Sequence, residues 1–144
     1  MKSIIITAAI CLLGFAGCGQ QNSPKNKKIN KTQPKNYKMD ISKLTNNTVK
    51  EAFEAWQKGD SQSFLSYFTT DAKLFDDGSP RDFQKFVKDA CGHERFTSID
   101  TVENEGKDIY GNFHTESWGD FKTYFKFHFD ADEKISRLDI GQAN

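Results

Sequence analysis

The chain has 144 residues, carries 20 Lys+Arg against 20 Asp+Glu, and is 36% apolar and 13% aromatic. The balance hides a split: residues 40–144 hold 13 basic against 20 acidic residues, a net of −7, while the stretch before them is basic. An acidic domain excludes nucleic acid as its partner, since phosphate binding needs a basic face, and about 105 residues is the usual size of one domain with one core.

Met1-Lys2 supplies a short positive start, and Ile4 to Phe15 an apolar run too short to span a bilayer as a lasting helix. Phe15-Ala16-Gly17-Cys18 then forms a small-residue cleavage site ending in cysteine. This segment resembles the lipobox of bacterial lipoproteins, with Phe15 where leucine is usual. The resemblance implies a signal peptide over 1–17, fatty acylation (palmitate or a similar chain) of Cys18, and a protein held by lipid to a membrane of the bacterial cell envelope. An ordinary secretory signal cut nearby and an uncleaved anchor are the alternatives. Residues 18–39 are rich in Asn, Gln, Lys and Pro and too poor in apolar groups to offset the entropy of ordering, so they read as a disordered linker. Lys25, Lys27, Lys28, Lys31, Lys35 and Lys38 make it basic. They suit anionic headgroups beside a lipid anchor, or serve only to keep a solvated spacer extended.

Helical spacing begins after the capping cluster Thr45-Asn46-Asn47-Thr48, with Val49, Ala52, Phe53 and Trp56 on one face and Gly59 as the stop. Asp60 or Ser61 caps a second short helix through Phe64, Leu65 and Phe68; the chain then runs extended near Lys73-Leu74-Phe75 and turns at Asp76-Asp77-Gly78-Ser79-Pro80. A third helix is predicted from about Arg81, with Phe83, Phe86, Val87, Ala90 and Cys91 on one face and Gly92 at its end.

The second half reads as an antiparallel meander. Phe96, Ile99 and Val102 recur every third residue within a β-rich run, which predicts a bulge. Lys107 to Thr115 and Phe121 to Phe129 form a hairpin, and Lys134 to Ile140 follows the Asp130-Ala131-Asp132-Glu133 turn. A hairpin centred on Trp118 sets Phe113 opposite Thr123, Gly111 opposite Phe125 and Ile109 opposite Phe127 on the core face, and a tight second hairpin adds Ser136, Leu138 and Ile140. The other face then collects Asp108 near His128, Tyr110 near Lys126 and Asn112 near Tyr124.

With Cys11 removed in the signal and Cys18 acylated, Cys91 is left alone in the mature domain. No internal disulfide forms, and its apolar helical setting makes it a small buried hydrophobe rather than a nucleophile. No metal-binding spacing occurs, and nothing points to an organic cofactor. Of the three histidines, His114 and His128 have the parity of the outer face, while His93 sits at a helix-to-strand junction, a rim position. Asp76 and Asp77 lie near the same rim, where turn formation is their simpler role.

The order of elements, opened by Val49-Lys50-Glu51-Ala52-Phe53-Glu54-Ala55-Trp56-Gln57-Lys58-Gly59-Asp60 and closed by Lys134-Ile135-Ser136-Arg137-Leu138-Asp139-Ile140, resembles the nuclear transport factor 2-like superfamily, and within it the SnoaL-like branch. The resemblance spans nearly all of residues 40–144. It implies an α+β cone, a curved antiparallel sheet wrapped around three N-terminal helices with a cavity between them, often used as a homodimer. Relatives include isomerases, cyclases, dehydratases and proteins that only bind, so the fold leaves function open.

Two functions follow as expectations. In the first, a lipid-anchored domain binds a small apolar ligand in a pocket lined by Trp56, Phe68, Phe86, Phe113, Thr123 and Phe125, although filling the core is the simpler role of these rings, or meets a protein partner, a second copy included, on its outer sheet face. In the second, an isomerase, cyclase or dehydratase draws its acid–base chemistry from His93, Asp76 or Asp77 at the cavity mouth. Trp118, at a hairpin tip, either contacts a partner or membrane or folds back over the sheet.

Overall fold

The computed structural model describes residues 39–144. The signal segment, Cys18 and nearly all of the linker lie outside the described residues. Among those described, no helix is long and apolar enough to cross a membrane.

Each helix begins where a short polar side chain takes up an orphan amide. Asn46 Oδ1 accepts from Val49 N at 3.0 Å to open α1 (Asn47–Lys58). Asp60 Oδ1 accepts from Ser63 N at 3.0 Å to open α2 (Ser61–Ser66), and Asp82 Oδ1 accepts from Lys85 N at 2.9 Å to open α3 (Phe83–Ala90). Two expected boundaries move. Phe68 does not belong to α2 but starts β1 (Phe68–Asp76), in keeping with the β-prone Phe-Thr-Thr run. Ser79-Pro80-Arg81 forms β2 (Ser79–Arg81), pairing back on β1 with Asp76 opposite Ser79, so α3 begins two residues later than Arg81. Asp77 and Gly78, both at positive φ, make the two-residue turn that an Asp-Gly pair favours.

The remaining strands are β3 (Arg95–Glu103), β4 (Asp108–Thr115), β5 (Gly119–Phe129) and β6 (Ile135–Gln142). The six form one curved sheet in the order β2-β1-β6-β5-β4-β3. β3 to β6 are the predicted antiparallel meander, but β1 runs parallel to β6, so the sheet is mixed rather than purely antiparallel. The three-residue recurrence in β3 has its cause in two irregularities, one after Phe96 and one after Ile99.

The β4–β5 register differs from the expected one by two residues: Phe113 pairs with Phe121, Gly111 with Thr123 and Ile109 with Phe125. The hairpin closes over Glu116-Ser117-Trp118, with Thr115 opposite Gly119, and is therefore centred on Ser117. A shift of two keeps every side chain on its face. The outer-face pairs accordingly become Asp108 with Lys126, Tyr110 with Tyr124 and Asn112 with Lys122. The ring that lies against Gly111 is Phe96, from the bulged β3, rather than Phe125. In β6 a bulge opposite His128 and Phe129 turns Ile135 inward and leaves Ser136 on the outside, where its hydroxyl donates to His128 O.

The core joins the helices to the inner sheet face. Trp56 stacks on Phe86 at 5.5 Å and meets Phe64 and Phe125 edge-on at 5.1 and 5.5 Å. Phe53 lies 5.3 Å from Phe96, and Phe68 sits 4.7 Å from Phe83 and 6.3 Å from Phe127. Burying such rings dominates the stability of a domain this size.

Candidate functional site

One end of this interior is not filled. A cavity of about 410 Å³ opens between α3, the β1–β2 turn, the start of β3 and the strands β4, β5 and β6. That is within the range of small-molecule sites, about 300–1,000 Å³. Its wall is apolar: Phe86 from α3, Phe113 from β4, Phe121 and Phe125 from β5, and Ile140 from β6. Its hydroxyls are already engaged. Thr123 donates to Gly141 O at 2.7 Å, and Thr115 accepts from Trp118 N at 2.9 Å. Its charged end holds Asp76, Asp77, Arg81 and Glu94.

The carboxylates differ in what they already do. Asp76 Oδ2 is held by Arg81, at 3.2 Å from Nε and 3.0 Å from Nη2. Asp77 accepts from Gln142 N at 3.0 Å, stapling the β1–β2 turn to the end of β6, and its charge together with burial holds the Tyr124 phenol above its ordinary range. Glu94 is different. Among the described residues no donor or cation lies within hydrogen-bond or ion-pair reach of its carboxylate, and burial, reinforced by the charge of Asp76 and opposed by that of neighbouring His93, pushes its carboxyl above the usual range.

A tight turn aims Glu94. Val87 O accepts from Cys91 N, and Ala90 O accepts from both His93 N and Glu94 N, at 3.0 and 2.8 Å. Gly92 occupies the left-handed region at φ +82° and packs so closely on Gly59 that a Cβ there would fall 2.6 Å from Gly59 Cα. The contact between two backbones fixes the direction in which the chain leaves α3. It sends Glu94 inward, while the neighbouring His93 turns out to solvent with Nδ1 3.9 Å from Glu116 Oε1. His93 is therefore a correction to the expected rim residues, since it does not line the cavity. Asp76 and Asp77 do.

Of the six aromatic and polar residues expected along a pocket, Phe86, Phe113, Thr123 and Phe125 line the cavity. Trp56 and Phe68 do not: both are buried beneath neighbouring rings, so their space is occupied by core. Glu94 and Arg81 were not anticipated as site residues. The available signal for Glu94 was its place beside His93 at the same helix-to-strand junction, one residue away and hence of opposite orientation.

Cys91 is buried, its thiol pushed up to about 11 by desolvation, with Sγ 3.8 Å from Trp56 O. A thiol so held is not a nucleophile near neutrality. Among the described residues no three His, Cys, Asp or Glu side chains are grouped as metal ligands. The other two histidines lie on the outer face, His114 Nδ1 2.6 Å from Asp120 Oδ1 and His128 Nε2 2.9 Å from Asp139 Oδ2. Asp139, and not Asp108, is thus the partner of His128. Trp118 stands 81% exposed at the cavity mouth rather than folded back over the sheet.

No protein-family model and no curated protein sequence matches this chain. Solved structures do. A nuclear transport factor 2-like protein of unknown function from Cytophaga hutchinsonii superposes with TM-score 0.54 at 10% identity, covering 75% of this chain and 94% of that one. A SnoaL-like protein of unknown function from Burkholderia thailandensis superposes with TM-score 0.52 at 13% identity, covering 70% and 96%. The Orange Carotenoid Protein of Anabaena, solved binding canthaxanthin, superposes with TM-score 0.53 at 16% identity; the match takes in 66% of this chain and only 35% of that protein. The described domain is therefore an α+β cone of the nuclear transport factor 2-like fold. Its neighbours include SnoaL-like proteins, as the order of helices and strands led us to expect.

Proposed function

We propose that this protein is a lipoprotein of the bacterial cell envelope, tethered through Cys18, whose domain binds a small, largely apolar molecule in the cavity between α3 and the sheet. The observation that carries the binding reading is the cavity itself: the sheet rings Phe113, Phe121 and Phe125 line it, with Phe86 the helix ring beside them there, while Phe125 also meets Trp56 edge-on in the core. A structural neighbour that binds a carotenoid supports the use of this fold for apolar ligands. The Met1-to-Cys18 pattern supports the anchor. The outer face, where Lys126 Nζ lies 5.5 and 4.8 Å from the Tyr110 and Tyr124 ring centres, is where we place association with a second copy.

Native mass spectrometry of the chain purified gently from its own host tests the binding reading: a stoichiometric small molecule is expected, and a bare chain argues against it. Cys18→Ser is expected to release the protein from membranes and abolish fatty-acid labelling. Unchanged labelling defeats the anchor. Sedimentation of the wild type against Tyr124→Glu tests self-association, with a dimer converted to monomer as the expected result.

A second reading, an isomerase, cyclase or dehydratase, draws on one observation. Glu94 and Asp76 share the cavity, and a carboxylate that burial makes more basic than an exposed glutamate is a better proton acceptor. Turnover of the co-purified molecule that stops in Glu94→Gln would favour it.

A further inference from the structure

The cavity is unusual in its charge. An apolar ligand needs only the rings, yet this site keeps a carboxylate that nothing in the described protein satisfies. Arg81 is engaged by Asp76, and Asp77 is engaged by the Gln142 amide. Glu94 alone is left to face the cavity among Phe86, Phe113 and Phe125. Desolvating a carboxylate without a partner is costly, and an apolar neutral ligand pressed against Glu94 would add to that cost. A positive charge would remove it, and aromatic rings around such a charge add their own attraction, because each ring face is negative. Trp118, the residue type with the strongest such face, lines the cavity while standing exposed to solvent.

Resting on the reading that the cavity is a ligand site, we propose that its ligand is an apolar cation, a substituted amine or quaternary ammonium whose charged nitrogen sits against Glu94 and whose hydrocarbon part lies among Phe86, Phe113 and Phe125. Anionic ligands are disfavoured by the same carboxylate, with Asp77 on the same side. Arg81 does not offset this, since its guanidinium is committed to Asp76.

The test compares a cation with a neutral molecule of the same shape. Benzyltrimethylammonium and neopentylbenzene differ only in a nitrogen for a carbon, and hence in charge. Both are measured by equilibrium dialysis against the full chain in uncharged maltoside micelles, with protein-free micelles subtracted. The cation is expected to bind at least about tenfold more tightly. Glu94→Gln, which keeps the side chain's shape, is expected to cut most of that preference, leaving only what the rings contribute, and to leave the neutral molecule's binding unchanged. Equal or tighter binding of neopentylbenzene to the wild type overturns the cation assignment while the apolar-cavity reading stands. An undiminished preference in Glu94→Gln also overturns it, since the charge read would not be that of Glu94. Binding of neither molecule overturns both.

Discussion

The two ends of the domain's interior are built from the same residue type and come out differently. At the end around Phe64, rings from helices and sheet meet: Phe64 and Phe83 from the helices close on Phe68 from β1, which in turn meets Phe127 from β5. At the other end the sheet still offers Phe113, Phe121 and Phe125, but the only helix side chain opposing them at the cavity is Phe86. A ring is core or pocket wall according to what stands across from it, and phenylalanine content alone cannot separate the two cases. Charge follows the same division. Uncompensated carboxylate is found where the interior is open, at Glu94, and the packed rings of the closed end are uncharged.

The contrast can be broken most forcefully at its closed end. Phe64→Ala removes the ring that three others pack on, Trp56, Phe68 and Phe83, and should cost about 3–5 kcal/mol in chemical denaturation. Phe121→Ala, at the open end and only half-buried, should cost no more than about 1 kcal/mol. Comparable losses at the two positions would mean that the cavity is closed in solution.

Gly92→Ala probes the joint between the ends. It places a methyl 2.6 Å from Gly59 Cα at a backbone conformation that alanine resists, and should cost about 1–3 kcal/mol. It should also weaken ligand binding by re-aiming Glu94. A variant as stable as the wild type would show that the turn does not rely on this contact.

A smaller effect comes from Glu94 itself. Its carboxyl is raised in the fold, chiefly by burial, so the carboxylate form is the one folding penalises. The penalty is absent below the ordinary glutamate range and appears as pH climbs through the raised folded value. In the ligand-free protein, Glu94→Gln should therefore raise the unfolding temperature at neutral pH, by the equivalent of less than about 1 kcal/mol, with the gain vanishing in acid. A gain independent of pH would point to packing instead of charge. Least of all should Trp118→Ala matter to stability, within about ±0.5 kcal/mol for so exposed a ring. Any effect of that variant should fall on ligand entry.

How far the residues alone revealed this architecture depended on whether the relevant signal was local. Caps at Asn46, Asp60 and Asp82 and the alternation along β4 and β5 are local, so helices and sheet faces were legible. The β4–β5 register was off by two because alternation gives parity and not loop length; the face assignment survived for that reason. The parallel pairing of β1 with β6 joins segments some sixty residues apart, for example Leu74 with Leu138, and leaves no local mark. The candidate site was legible where it is wall, at Phe86, Phe113, Thr123 and Phe125. Of its charged residues, Asp76 and Asp77 were legible from the turn they form, whereas Glu94 was not, because His93 and Glu94 are adjacent and the backbone packing of Gly92 on Gly59, joining distant segments, leaves no local mark of which one turns inward. The anchor we propose at Cys18 rests on the Met1-to-Cys18 pattern alone.

The most direct test of the open-and-closed account is methyl NMR of the chain titrated with a small apolar probe such as cyclohexanol. Thr115, Thr123 and Ile140 line the cavity, whereas Val49, Val87 and Leu138 are buried in the filled core. The account predicts saturable shifts at the first three methyl-bearing residues and none at the second three. Unmoved Thr123 and Ile140, or shifts spread equally to Val87 and Leu138, would contradict it.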